Sequence, residues 1–192
     1  MGVFEAAIRE ARSEADEAAA ATLMAAYLTW AHDRLREEYG VDERPADPSQ
    51  VAASMGAYRR PSGVLLLADW SGRPVGVGAL RRLPDGAAEV KRMYVVPEAR
   101  SLHIGSRMLD QLIDSAVGLG ANVIRLDTCR FMIEAQRLYR SRGFVEGPAY
   151  EGTEIPAHLH EYWLFFERRI EAASIDLPTF RASRRRGLGK PP

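Results

Sequence analysis

The chain has 192 residues, 46% of them hydrophobic and 27% charged, with a formal net charge of zero. That balance suits one soluble globular domain with a substantial core and excludes a disordered polar chain. A single cysteine, Cys129, excludes an internal disulfide and a cysteine-rich zinc site.

The charge is unevenly spread. The last twelve residues hold Arg181, Arg184, Arg185, Arg186 and Lys190 without an acid, which leaves 21 basic and 26 acidic side chains in the first 180. A mildly acidic body gives no reason to expect nucleic acid as a partner. No apolar run approaches the ~20 residues that cross a bilayer, so no membrane association is expected. The first twenty residues, rich in acids, lack a signal-peptide pattern, and a cytoplasmic protein is the expectation. Residues 1–12 read as an N-terminal extension, 13–170 as the domain, and 171–192 as a basic tail, either flexible or anion-contacting.

In chain order, Ser13–Asp16 has capping-box spacing, and a helix should run from there to about Glu38. Met24, Tyr27, Leu28, Ala31 and Leu35 draw its apolar stripe, and Gly40 ends it. Asp47–Pro48 opens a shorter helix through about Tyr58. The period then changes. Gly63–Trp70 and Arg73–Leu83 form a hairpin about Ser71–Gly72, with Val75, Val77 and Ala79 on one face. A third strand covers Ala87–Val96. After a loop at Pro97–His103 come a helix (about Ile104–Gly118), a strand (Asn122–Thr128), and a helix (about Met132–Arg142) closed by Gly143. A strand then begins at Phe144–Val145, and an aromatic one spans His160–Ile170. A strand–helix–strand unit after a meander implies an α/β, mixed α+β fold. The expected sheet is mixed and mostly antiparallel, with six to seven strands and helices on both faces.

The informative segment is Glu89–Leu109, EVKRMYVVPEARSLHIGSRML. It reads as a strand, a short polar loop, Arg100-x-x-His103-x-Gly105, and a helix. Such a junction offers unpaired N–H groups and the positive end of a helix dipole to an anion such as pyrophosphate. With KRMYVVPEAR before it, and LDT at Leu126–Thr128 and EAQRLYRSRGF at Glu134–Phe144 after it, the segment resembles the GNAT superfamily of N-acetyltransferases. The resemblance covers roughly residues 13–170. The chain departs from the family pattern at two positions. His103 stands where the signature has its first glycine, and Met132 where many members carry asparagine.

The resemblance implies acetyl-CoA as acyl donor, no metal, and direct transfer in a ternary complex to a primary amine. The amine belongs to a small molecule, a peptide or a protein. It implies that backbone groups of Met93, Tyr94 and Val95 pair with the pantetheine arm. Arg100, Ser101, Leu102, His103, Ile104, Gly105 and Ser106 are then the pyrophosphate cradle. Tyr139 matches the family tyrosine that protonates the departing thiolate, although its ring could simply pack α-helix on sheet. Glu89 matches a carboxylate used as base, often through water; it could equally be a strand residue paired with Arg81 or Arg82. Tyr27, Trp30 and Tyr58 either border the acceptor pocket or fill core. Cys129 reads as structural, since no neighbouring His or Lys favours its thiolate. His158-x-His160 is a lone pair without metal-ligand spacing. The apolar strand at 160–170 offers a pairing edge for a homodimer. A different class of reading is a degenerate domain that binds CoA or a partner without catalysis, fed by His103. A P-loop nucleotide site is excluded, because Gly-x-x-x-x-Gly-Lys-Ser/Thr is absent.

Overall fold

The computed structural model of the protein describes residues 5–42, 51–52 and 54–170. The expected helix start at Asp47–Pro48 and the basic tail from 171 onward lie outside the described residues. Ser13 caps α1 (Glu14–Tyr39) reciprocally: the Asp16 N–H donates to Ser13 Oγ and the Ser13 N–H to Asp16 Oδ2, each at 3.1 Å. Gly40, at φ 68°, ends the helix by donating its N–H to the Arg36 carbonyl.

Among the described residues, seven strands form one sheet: β1 (Ala7–Glu10), β2 (Gly63–Trp70), β3 (Arg73–Arg82), β4 (Ala88–Val95), β5 (Val123–Cys129), β6 (Val145–Gly147) and β7 (Trp163–Arg169). Their spatial order is β1-β2-β3-β4-β5-β7-β6, and only β4 and β5 run parallel. Two further α-helices among the described residues frame the site, α2 (Ile104–Gly118) and α3 (Ile133–Ser141). The mixed, mostly antiparallel sheet is therefore as expected, with seven strands. β1 is unforeseen, and the aromatic strand starts at Trp163 because Ala157–Tyr162 winds as a 3-10 turn.

The sheet divides two cores. Leu65 and Leu67 of β2 pack with Leu23 and Met24 of α1 on one face. Val64 and Leu66 alternate to the other face, where Met108, Leu109 and Leu112 of α2 and Tyr139 of α3 meet them. Val75 does not share a face with Val77 and Ala79. Ala68 pairs Gly76 and Asp69 pairs Pro74, so Val75 is the extra residue of a bulge and turns to the α2 side. Gly78 is required by packing: a Cβ there would lie 2.6 Å from Met108 Sδ and 3.2 Å from Leu112 Cδ1. Among the described residues, no helix is long and apolar enough to cross a membrane.

Candidate active site

β4 and β5 pair only at Ala88–Ile124 and Glu89–Arg125. Beyond those two pairs the strands part, and a bulge in β4 accounts for it. Lys91 pairs with Ala79 and Tyr94 with Val77, so Arg92 and Met93 together face Gly78. Arg92 adopts φ 57° at this bulge. The end of β4 stays with β3, the Val96 N–H donating to the Val75 carbonyl at 2.9 Å. α3 supplies the opposite wall of the opening. Its start is tied to the end of β5, since the Met132 N–H donates to the Cys129 carbonyl at 3.0 Å. The Gln136 side-chain amide also donates to the Arg130 carbonyl at 2.8 Å.

The result is a cleft of about 460 Å³. Met93, Tyr94 and Val95 line it from β4, Leu138 and Tyr139 from α3, and Tyr27 and Trp30 from α1. Arg100 and Gly105 line it as well. Arg100 donates from Nε to the Val95 carbonyl at 3.2 Å, and its guanidinium lies 5.7 Å from the Trp30 ring centre. A smaller chamber of about 50 Å³ adjoins the cleft between the diverging strands, lined by Lys91, Arg92, Asp127 and Thr128. Tyr27, Met93, Met132, Ala135 and Tyr139 line both spaces.

The cradle residues separate into two groups. Gly105 and Arg100 face the cleft, whereas Ile104 is fully buried in the α2 core and can offer only its backbone. Ser101 and Leu102 lie in the 3-10 turn Pro97–Leu102, and the Ser106 hydroxyl is taken by the His103 carbonyl at 2.8 Å. No side chain caps α2, so its first N–H groups, at Ile104, Gly105 and Ser106, keep the unpaired character of a helix start. A Cβ built on Gly105 would meet only Leu138 Cδ2, at 3.9 Å. The protein's own packing leaves that space open.

His103 sits at φ 54° and ψ 23°, the left-handed conformation that a glycine takes freely. Its side chain is exposed and does not line the cleft. Left-handed geometry costs a non-glycine residue about 1–2 kcal/mol, and glycine's extra chain entropy returns about 0.5–1 kcal/mol of that. His103→Gly should therefore stabilise the protein, with a rise in melting temperature of about 1–4 °C by calorimetry. An unchanged or lower value would show that the imidazole makes a compensating contact.

Tyr139 reaches the cleft from a packed position, with Phe144 and Phe166 ring centres each 6.1 Å away. Its hydroxyl has no hydrogen-bond partner among the described residues. Burial, and after it Tyr27 and the Asp127 carboxylate, push its phenol well above the usual range. Tyr27 is pushed up to about 12 in the same way, by burial first and then by Asp127.

Glu89 does not line either space. It is 0% exposed, with Oε2 held by Arg81 Nε at 2.6 Å and Oε1 receiving the Tyr150 hydroxyl at 2.8 Å. The expected pairing with Arg81 is present, inside a larger buried network. Lys91 Nζ lies 3.0 Å from Asp127 Oδ2, 3.5 Å from Glu154 Oε2 and 3.6 Å from Glu89 Oε1. Arg81 and Arg92 also reach Glu154, at 2.8 and 3.2 Å. Three carboxylates thus meet three cations beneath the chamber. Among these, Asp127 alone of the acids lines the chamber. Sequence reasoning does not single out Asp127, Arg92, Tyr150 or Glu154. Asp127 carried a signal, as the sole acid in the apolar run Val123–Cys129.

Tyr27 and Trp30 border the cleft, whereas Tyr58 is core beneath α1. Burial pushes the Cys129 thiol up to about 11, and its Sγ lies 3.1 Å from the Tyr162 carbonyl, which suits a structural thiol. Among the described residues, no group of three or more His, Cys, Asp or Glu side chains is arranged to hold a metal ion.

This architecture has known counterparts. The sequence model of the acetyltransferase (GNAT) family matches residues 26–144. An uncharacterized N-acetyltransferase of Schizosaccharomyces pombe is 33% identical over 123 residues, covering 62% of this chain and 76% of that protein. An IAA acetyltransferase of Azospirillum brasilense is 34% identical over 114 residues, covering 58% and 74%. In fold, the chain is similar to an acetyltransferase of the GNAT family from Staphylococcus aureus, with a TM-score of 0.66 at 20% identity over 86% of this chain and 99% of that one. It is also similar to a Salmonella typhimurium structure described with its cofactor acetyl-CoA, at a TM-score of 0.59 and 17% identity over 88% and 96%. With the family model spanning more than half its length, the chain belongs to the acetyltransferase (GNAT) family of acyltransferase enzymes.

Proposed function

We propose that the protein transfers an acetyl group from acetyl-CoA directly to an amine bound beside it in the cleft. The observation that carries this reading is the opening between β4 and β5, with Tyr139 and Asp127 on the walls of adjoining spaces. The residues present fit the donor. The uncapped start of α2, Arg100 and the open space at Gly105 suit a pyrophosphate, and the backbone of Met93–Val95 suits an amide-bearing arm. The neighbour described with acetyl-CoA supports the same assignment. When bound, acetyl-CoA supplies the acyl group as a thioester.

In this reading a main-chain N–H of the β4 bulge polarises the acyl oxygen. Asp127 Oδ1, which has no hydrogen bond among the described residues, receives the amine and takes its proton as the C–N bond forms. The Tyr139 hydroxyl gives its proton to the departing sulfur. Glu89 is not the base here, because both its oxygens are engaged away from the cleft; it holds Arg81, Lys91 and Tyr150 in place. The side chain of His103 does not line the cleft, which supports this reading over a domain that has lost its donor.

A thermal-shift titration with acetyl-CoA tests the reading. At ~100 times Kd the ligand adds about 2.7 kcal/mol of stability, a rise of about 5–11 °C for a chain of this size. No rise at saturating acetyl-CoA would sink the assignment.

A further inference from the structure

Two costs coincide at Arg92. Its backbone lies at φ 57°, a region unfavourable for any residue bearing a Cβ. Its Nε is buried without a hydrogen-bond partner. An unpaired buried donor in a native fold has a reason, and so does strain at the same residue. Both are accounted for when the donor is kept for a ligand.

The surroundings narrow that ligand. Arg92 lines the small chamber together with Asp127, and the chamber opens on the cleft where the amine must arrive. Lys91 is already matched by Asp127, Glu154 and Glu89. Apart from the Tyr139 hydroxyl assigned to the leaving sulfur, the unused polar groups include the Nε–H of Arg92 and one carboxylate oxygen on Asp127, a pair complementary to a carboxylate and an ammonium. Glu154 already presents a carboxylate to Arg92, at 3.2 Å through Nη2. At 36% exposed it is the network's most accessible acid and the one able to yield to a substrate carboxylate.

The neighbouring wall is apolar. Trp30 has its ring centre 6.2 Å from Tyr27 and 5.7 Å from Phe131. Arg100 and Arg34 each lie 5.7 Å from one of these rings, Trp30 and Phe131 respectively. The faces of these rings suit an apolar or aromatic side chain on the acceptor.

We propose that the acceptor is a free α-amino acid with an apolar or aromatic side chain, its ammonium on Asp127 and its carboxylate on the Nε of Arg92. This rests on the acetyl-transfer reading and names its acceptor. The bound ammonium first releases one proton to solvent, and the free amine nitrogen then bonds the acyl carbon as the carbon–sulfur bond breaks. Its proton passes to Asp127, and the sulfur is protonated from Tyr139.

The test uses the full chain with acetyl-CoA and matched acceptors, L-phenylalanine against phenethylamine and L-leucine against 3-methylbutylamine, with free thiol as readout. The amino acid of each pair should have the higher kcat/KM by about 10–100-fold, the range of one charge-assisted hydrogen-bonded pair. Arg92→Gln should collapse that ratio, and Arg92→Lys should restore part of it. Calorimetric titration of acetyl-CoA is run on the same samples. Absence of acetyl-CoA binding overturns the transfer reading and the acceptor with it. Binding with equal use of acids and amines, or a ratio that survives Arg92→Gln, overturns the acceptor alone. If neither acceptor turns over, L-phenylalanine is titrated into CoA-saturated protein. Heat that vanishes in Arg92→Gln upholds the assignment, and absence of heat overturns it.

Discussion

Replacing Tyr139 by Phe should lower kcat by about 10²–10⁴-fold, the usual contribution of a positioned general acid. Acetyl-CoA should still bind, because the ring that packs on Phe144 and Phe166 is kept and only the hydroxyl is lost. Steady-state rates paired with calorimetric binding separate the two effects. The raised phenol makes a second, independent statement. A group shifted upward by burial stays protonated across neutral and mildly alkaline pH, so loss of its acid form should not limit the rate below about pH 10. The same burial raises the proton affinity of a thiolate expelled beside it, so the proton still has somewhere to go. A loss of only a few fold in Tyr139→Phe would reduce the residue to packing.

Lys91→Met should be the most damaging substitution for stability, at about 3–5 kcal/mol, because it strands buried carboxylates without their cation. Urea unfolding at pH 7 measures it. Burial alone would lower the Lys91 pKa, but Asp127, Glu89 and Glu154 outweigh it and raise the group. Its contribution is therefore complete below the ordinary lysine value of about 10.4 and fades only as pH climbs beyond it. Glu154 runs the other way. Burial would raise it, yet Lys91, Arg92 and Arg81 hold it below the usual carboxylate range. Its contribution is present above about pH 4.3 and is lost on further acidification. Between those limits neither the Lys91 nor the Glu154 contribution should change with pH. The exposed pair Arg137–Glu134 is the control, since Arg137→Ala should cost under about 1 kcal/mol. Equal losses at the two sites would mean that water reaches Lys91.

Several parts of the structure were legible because their causes are local. The cap at Ser13, the stop at Gly40 and the apolar face of α2 depend on neighbours within four residues in sequence, so spacing alone reveals them. The pairing of Glu89 with Arg81 was legible too, because one turn places them opposite each other. The bulge at Arg92 was not. It comes from the register of β4 against β3, and nothing in KRMYV marks which residue will be extra. The burial of Glu89 depends on Tyr150, which lies 61 residues away in the chain. Tyr27, Leu28 and Ala31 belong to the expected stripe of α1 but remain half-buried, because at that height the helix borders the cleft. Asp127 illustrates the general difficulty. A lone acid in an apolar strand announces that something unusual faces it, and only the fold says what.

β1 was missed because four residues, AIRE, are too few for alternation to register, and its strand character is conferred by β2. That short strand has a disproportionate effect on the solution behaviour of the chain. β2 contains Val64, Leu65, Leu66, Leu67 and Ala68, all buried, and on one side its backbone is hydrogen-bonded by β1. Without β1, a row of unpaired amides on the most aliphatic strand of the sheet would become a template for other chains. β1 itself is a poor template, being short and charged, with Arg9 paired to Asp69 and Asp16 and Glu10 to Arg60. β1 thus guards the sheet against aggregation, and its removal would expose the sheet at its stickiest edge.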